Sequence, residues 1–167
     1  MEADDLFWQY NPESNSIAII VHRLSGKMLS RWTDFLNTDG EKNWRNRDQE
    51  FEDIIKTKAD LLQSWNKGWL YLFEALGNVN EENFHQLVYI RNQGRTIVEA
   101  INRQLAHYAY HIGQIVYIAR MIKGTEWENL SIPRGASKHY NQEKFAQEKG
   151  RKHFTDEFLE NPSTGDK

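Results

Sequence analysis

The run INRQLAHYAYHIGQIVYIARMIKG, residues 101–124, is the longest uninterrupted helical pattern in the chain. Ile97, Ile101, Leu105, Tyr108, Ile112, Ile115, Ala119 and Ile122 recur at three- and four-residue steps. That spacing lines one face of an α-helix. It predicts a helix from about Ile97 to Lys123, stopped by Gly124, since glycine accepts the backbone conformation of a helix end. So long and one-sided a helix must be covered by other helices.

Two more helices are predicted. The first runs from about Ser16 to Leu36, capped by Ser14 or Ser16, with Ile17, Val21, Leu24, Met28, Trp32 and Phe35 inward and Asp39-Gly40 as its stop. The second runs from about Gln49 to Leu76, with Phe51, Ile54, Leu61, Leu62, Trp65, Trp69, Leu72 and Phe73 on its apolar face. Between them, EKNWRNRD (residues 41–48) has no period and reads as a structured loop. Residues 88–97 suit a short extended excursion around an Asn/Gln/Gly turn. The expected fold class is all-α, an antiparallel helical bundle over residues 1–135. Residues 136–167 form a polar tail, peripheral or disordered, with room for a short helix near Asn141 to Leu159. A bundle of this kind closes its core with four helices. Three are predicted here, so the tail or a second subunit must supply the fourth, and a homodimer is expected.

Composition narrows the function. The net charge is -3, so no overall basic field exists to capture a nucleic-acid backbone, and nucleic acid is not an expected partner. The absence of cysteine excludes disulfides, a thiolate nucleophile and cysteine-ligated metals. No apolar run approaches 18 residues and the first residues are acidic, so neither a membrane span nor a secretory leader is expected. The expected location is the cytoplasm.

His107 and His111 carry the chemistry. Four residues apart on one helix, they converge on one small volume, either as metal ligands or as satisfied core imidazoles. On the helical wheel they fall at the margin of the apolar stripe with Ala100, Gln104, Gln114 and Ile118. On the first helix, His22 lies at one margin of the stripe, while Arg23, Lys27, Ser30 and Asp34 lie at the other. Only one of these margins can face the pair. Arg45 and Arg47, flanked by Trp44 and Asp48, suit an anion-recognition loop or, more plainly, a salt-bridged surface loop. His85, His139 and His153 read as solvated.

The strings NSIAIIVHRLSGKMLSRWTDFLNTDGEKNWRNRDQEF, EAINRQLAHYAYHIGQIVYIARMIKG and LSIPRG resemble the DinB/YfiT-like superfamily of helical bundles, closest to a bacterial branch of largely unknown function. The resemblance spans about Leu6 to Gly135. It implies a four-helix, frequently dimeric bundle whose first helix is missing or truncated here. It also implies a divalent metal (Zn, Ni, Fe or Mn) held by three histidines, with a low-molecular-weight thiol as co-substrate of a transferase or isomerase. His107 and His111 match the histidine pair of the family. The third ligand would be His22, although the family position is the next residue, which is Arg23 here. Arg23, Arg45 and Arg47 are the candidate substrate-binding residues. Arg23 and Lys27 at that margin would repel a metal and favour an anion. The alternative function is a non-enzymatic dimeric binding or scaffold protein with a degenerate metal site.

Overall fold

The computed structural model describes residues 1–52, 54–151, 153 and 156. The chain divides into two compact units, Met1–Glu126 and Trp127–Lys167. The first contains helices α1 (Ile17–Trp32), α2 (Lys58–Gly77) and α3 (Ile97–Lys123). An antiparallel ribbon of β1 (Leu87–Ile90) and β2 (Gln93–Thr96) joins α2 to α3. The second unit contains α4 (Ser137–Phe145). Helix α4 starts before the tail helix expected near Asn141 to Leu159 and overlaps its first residues, and residues 152, 154, 155 and 157–167 lie outside the described residues.

The chain is mostly helical rather than all-α, because the extended excursion is a true hairpin. Its turn residues Arg91 and Asn92 have φ of 55° and 60°, the conformation of a two-residue turn whose twist matches the flanking strands. Among the described residues, no helix is long and apolar enough to cross a membrane.

Helix α1 lies at the centre of the first unit. Its residues Ile17 to Val21, Leu24, Ser25, Met28 and Ser30 to Trp32 are all buried. Ser16 is its cap, accepting the Ile19 N–H at 3.2 Å. The helix ends at Trp32 rather than Leu36. The Thr33 hydroxyl and N–H both bond to the Leu29 carbonyl oxygen, and Asp34 follows at φ 47°. Helix α2 starts at Lys58 rather than Gln49, since Gln49–Phe51 makes only a 3-10 turn. Thr57 then provides the cap, accepting the Asp60 N–H at 3.1 Å.

Helix α2 meets α1 through Leu61, Gly68, Leu72 and Ala75. Gly68 sets the approach: a Cβ there would lie 2.9 Å from Met28 Sδ and 3.3 Å from Ser25 Cα. Trp32 Nε1 donates to Tyr108 Oη at 2.7 Å, tying α1 to α3 inside the core. Burial pushes the Tyr108 hydroxyl up to about 12, so it remains protonated.

The buried stripe of α3 is rotated from the apolar one read in the sequence. Ile97, Ala100, Gln104, Tyr108, His111 and Ala119 are buried, whereas Leu105 is 66% exposed. Gln104 and His111 thus take buried positions at the expense of Leu105. Hydropathy alone would weight these positions the other way.

Gly68→Ala should destabilise the protein by about 1–3 kcal/mol, because the added methyl must push α1 and α2 apart. Urea unfolding would measure it, and an unchanged midpoint would show that the helices are not in close contact there.

Candidate anion-binding site

One concave region gathers most of the polar chemistry of the first unit. It is a cavity of about 390 Å³ bounded by α1, the loop after it, the ribbon and α3. Its charged lining comprises eight cations (Arg23, Lys27, Arg31, Arg45, Arg47, Arg91, Arg95 and Arg103) and two carboxylates, Glu41 and Glu50. His107, His111, Gln93 and Ile90 complete the wall.

The spacing of these residues on their helices explains why they meet. Arg23, Lys27 and Arg31 recur every four residues on α1, as do Arg103, His107 and His111 on α3. Each set is therefore a stripe along one face. The stripes face each other in antiparallel register. Arg31 is within electrostatic reach of Arg103, Lys27 of His107, and Arg23 of His111. The Arg23/Lys27 margin of α1 is thus the one that faces the histidine pair. His22 is half-buried and does not line the cavity. One residue of offset turns it about 100° away from Arg23.

The loop is held rigidly against both neighbours. The Asp39 carboxylate accepts the backbone N–H groups of Glu41 at 2.7 Å and of Arg91 and Asn92 at 2.8 Å. Burial opposes its ionisation, but these three donors outweigh burial and hold it below the usual carboxylate range. Gly40 N–H donates to the Tyr89 carbonyl at 2.8 Å, and Ser30 Oγ donates to the Gly40 carbonyl at 3.1 Å. The loop cannot move without the ribbon and α1.

Both acidic residues are already engaged. Arg45 donates through Nε and Nη2 to the two oxygens of Glu50, each at 2.7 Å, and through Nη1 to Glu41. Glu41 also accepts from Arg91 at 3.3 Å. Glu50 can lie against α1 because Gly26 leaves room: a Cβ there would sit 2.5 Å from the Glu50 carboxylate. Arg23 stacks 3.9 Å from the centre of the Phe51 ring, and Arg47 is 6.0 Å from the same ring.

The other cations are not neutralised in this way. Arg31 is 3% exposed, and its Nε and Nη1 have no hydrogen-bond partner. Gly40 lies against this guanidinium, where a Cβ would come within 2.9 Å of Arg31 Cδ and 3.2 Å of Nε. Burial and the nearby Arg103 lower Arg31 to about 10, so it is still charged at neutral pH. Burial, Arg31 and Arg103 lower Lys27 to about 7.

The histidines are held neutral. Burial, together with Lys27, His111 and Arg103, lowers His107 to about 4, and its Nδ1 is buried with no hydrogen-bond partner. Burial lowers His111 as well, outweighing its bond to Gln114. His111 Nδ1 lies 2.7 Å from Gln114 Oε1, and Gln114 Nε2 donates to Tyr110 Oη. With Gln114 Oε1 as the acceptor, His111 Nδ1 is the donor of that bond. The two rings are 4.6 Å apart. As metal ligands the pair supplies two donors. Arg23, which faces them from α1, is a cation, and among the described residues no group of three His, Cys, Asp or Glu side chains converges. This donor set does not by itself fit a resident divalent ion.

The structure therefore brings together His107, His111, Arg23, Arg45 and Arg47 and leaves His22 apart. Sequence reasoning did not single out Arg31, Arg91, Arg95, Arg103, Glu41 or Glu50. The stripes at i, i+4 and i+8 on α1 and α3 were an available signal for Arg31 and Arg103. Nothing local marked the ribbon arginines.

A model of the family described as "Protein of unknown function (DUF1572)" matches residues 1–136. No curated protein and no solved structure matches the chain.

Protonation at the cavity sets a pH dependence. The folded protein binds a proton at His107 only near pH 4, whereas an ordinary imidazole binds one near 6.5. The unfolded chain thus holds more protons between these values, and stability must rise with pH across that window. His107→Gln should flatten the rise in chemical denaturation between pH 4 and 6.5. An unaltered slope would place His107 in an ordinary, hydrated environment.

Proposed function

We propose that this chain, which belongs to the DUF1572 family, binds a small, strongly anionic molecule in the cavity between α1 and α3. The observation that carries the proposal is the Arg31 guanidinium, buried and charged with two nitrogens unpartnered. A buried donor without a partner is costly to stability. Such a cost is typical of binding sites, where stability is traded for function. A bound oxyanion would accept from Arg31 and relieve the repulsion among Lys27, Arg31 and Arg103. The Arg45 fork, saturated by Glu50 and Glu41, acts as a fixed wall of the cavity. The cavity is concave and at the small end of ligand-site volumes, which suits a metabolite rather than a nucleic-acid duplex.

Two outcomes follow for Arg31→Met. In ligand-free buffer the variant should melt about 2–4 °C higher, the shift expected from removing roughly 1 kcal/mol of unpaired-charge penalty. In calorimetric titration with pyrophosphate or citrate it should bind at least tenfold more weakly than the parent. A variant that melts lower and still binds would overturn the proposal. Because an anion favours protonated Lys27, parent affinity should also strengthen as pH falls from 8 to 6.

A second reading keeps the DinB/YfiT-like character of the bundle and its thiol-dependent metal chemistry. The neutral, adjacent imidazoles of His107 and His111 favour it, as does the unpartnered His107 Nδ1. A divalent ion there would need the charge of a bound anion beside it. This reading predicts near-stoichiometric metal in tag-free protein purified without chelators, lost on His111→Ala. Exposed Leu70 and Phe73 on α2 and Leu105 on α3 further support a homodimer, which a monomeric mass in light scattering would exclude.

A further inference from the structure

We infer that the ligand of this cavity is a short, hydrophilic molecule carrying a phosphoryl group at each end. The inference rests on the anion-binding proposal and goes beyond it by assigning the number, spacing and class of the anionic groups.

Four of the cations form two pairs. Arg31 and Arg103 lie within electrostatic reach of each other at one end. At the other, Arg23 and Arg47 are coupled, and both guanidinium groups lie over the Phe51 ring. Arg23 and Arg31 are separated by two helical turns on the same face of α1, a rise of roughly 12 Å. Lys27 lies between Arg23 and Arg31 on the same face of α1, and His107 and His111 on α3 add hydrogen-bonding groups to the wall. A ligand matching this lining has charge at both ends and hydrogen-bonding groups between.

The balance of charge selects phosphoryl groups over carboxylates. Eight cations line the cavity against two carboxylates, both already bound to Arg45. Two carboxylates on a ligand would neutralise only two of the remaining charges, whereas two phosphoryl dianions would neutralise about four. Arginine forks match phosphoryl oxygens in bidentate geometry. The lining also argues against a nucleotide: among the described residues that line the cavity, Ile90 is the only apolar one and none is aromatic.

Calorimetric titration of the full chain with fructose 1,6-bisphosphate, fructose 6-phosphate and inorganic phosphate tests this. The bisphosphate should bind at least tenfold more tightly than either single-phosphoryl probe. Arg31→Met and Arg23→Met should each remove that advantage, lowering bisphosphate affinity at least tenfold. Thermal melting of each variant establishes that it is folded. Equal affinity for bisphosphate and monophosphate would overturn the two-ended assignment and leave the anion site standing. Tighter binding of citrate than of the bisphosphate would overturn the phosphoryl assignment alone. No binding of any of these anions at millimolar concentration would overturn the anion site itself.

Discussion

Desolvated positive charge is the constraint around which the first unit is organised. Arg31, Lys27 and Arg103 are held near one another against their mutual repulsion, and burial lowers both Arg31 and Lys27. Such an arrangement persists only where the surrounding structure over-determines it. Here the surroundings are the central helix α1, fixed to α2 at Gly68 and to α3 through Trp32 and Tyr108, and a loop sewn to both α1 and the ribbon through Ser30, Gly40 and Asp39. The core stabilises a cavity that destabilises itself.

Two glycines make the cavity wall sterically feasible. Gly26 lets Glu50 lie on α1 and receive the Arg45 fork, and Gly40 lets the loop close over the Arg31 guanidinium. Neither position has a positive φ, so each is required for close approach and not for backbone freedom. Any side chain at Gly40 would act directly on Arg31, although Gly40 itself donates nothing to the cavity.

The histidine pair shows how neighbours decide a side chain's chemistry. On a helix with acidic surroundings, His107 and His111 would be a plain metal pair. Beside Lys27, Arg23 and Arg103 they become neutral hydrogen-bonding groups in a cationic pocket. Arg23, facing the pair from α1, adds a positive charge rather than a metal donor.

Much of this was legible in the sequence. The limits of α3, the loop at 41–48 and the hairpin excursion follow from periodicity, Gly124 and turn residues, which are local properties. Arg23, Arg45, Arg47, His107 and His111 stood out by residue type, and they do share one cavity. Other features were not legible in the apolar pattern. The early stop of α1 at Trp32 and the late start of α2 at Lys58 depend on hydroxyl caps at Thr33 and Thr57 that compete with a continuing apolar pattern. The burial of Gln104 and His111 and the exposure of Leu105 run against hydropathy. Net charge, a sum over the whole chain, concealed the cationic cavity altogether. The sequence by itself determined where the helices lie and which side chains carry charge. Only the tertiary structure decided that two stripes and a loop bring those charges into one volume, because electrostatic repulsion and burial act through space and not along the chain.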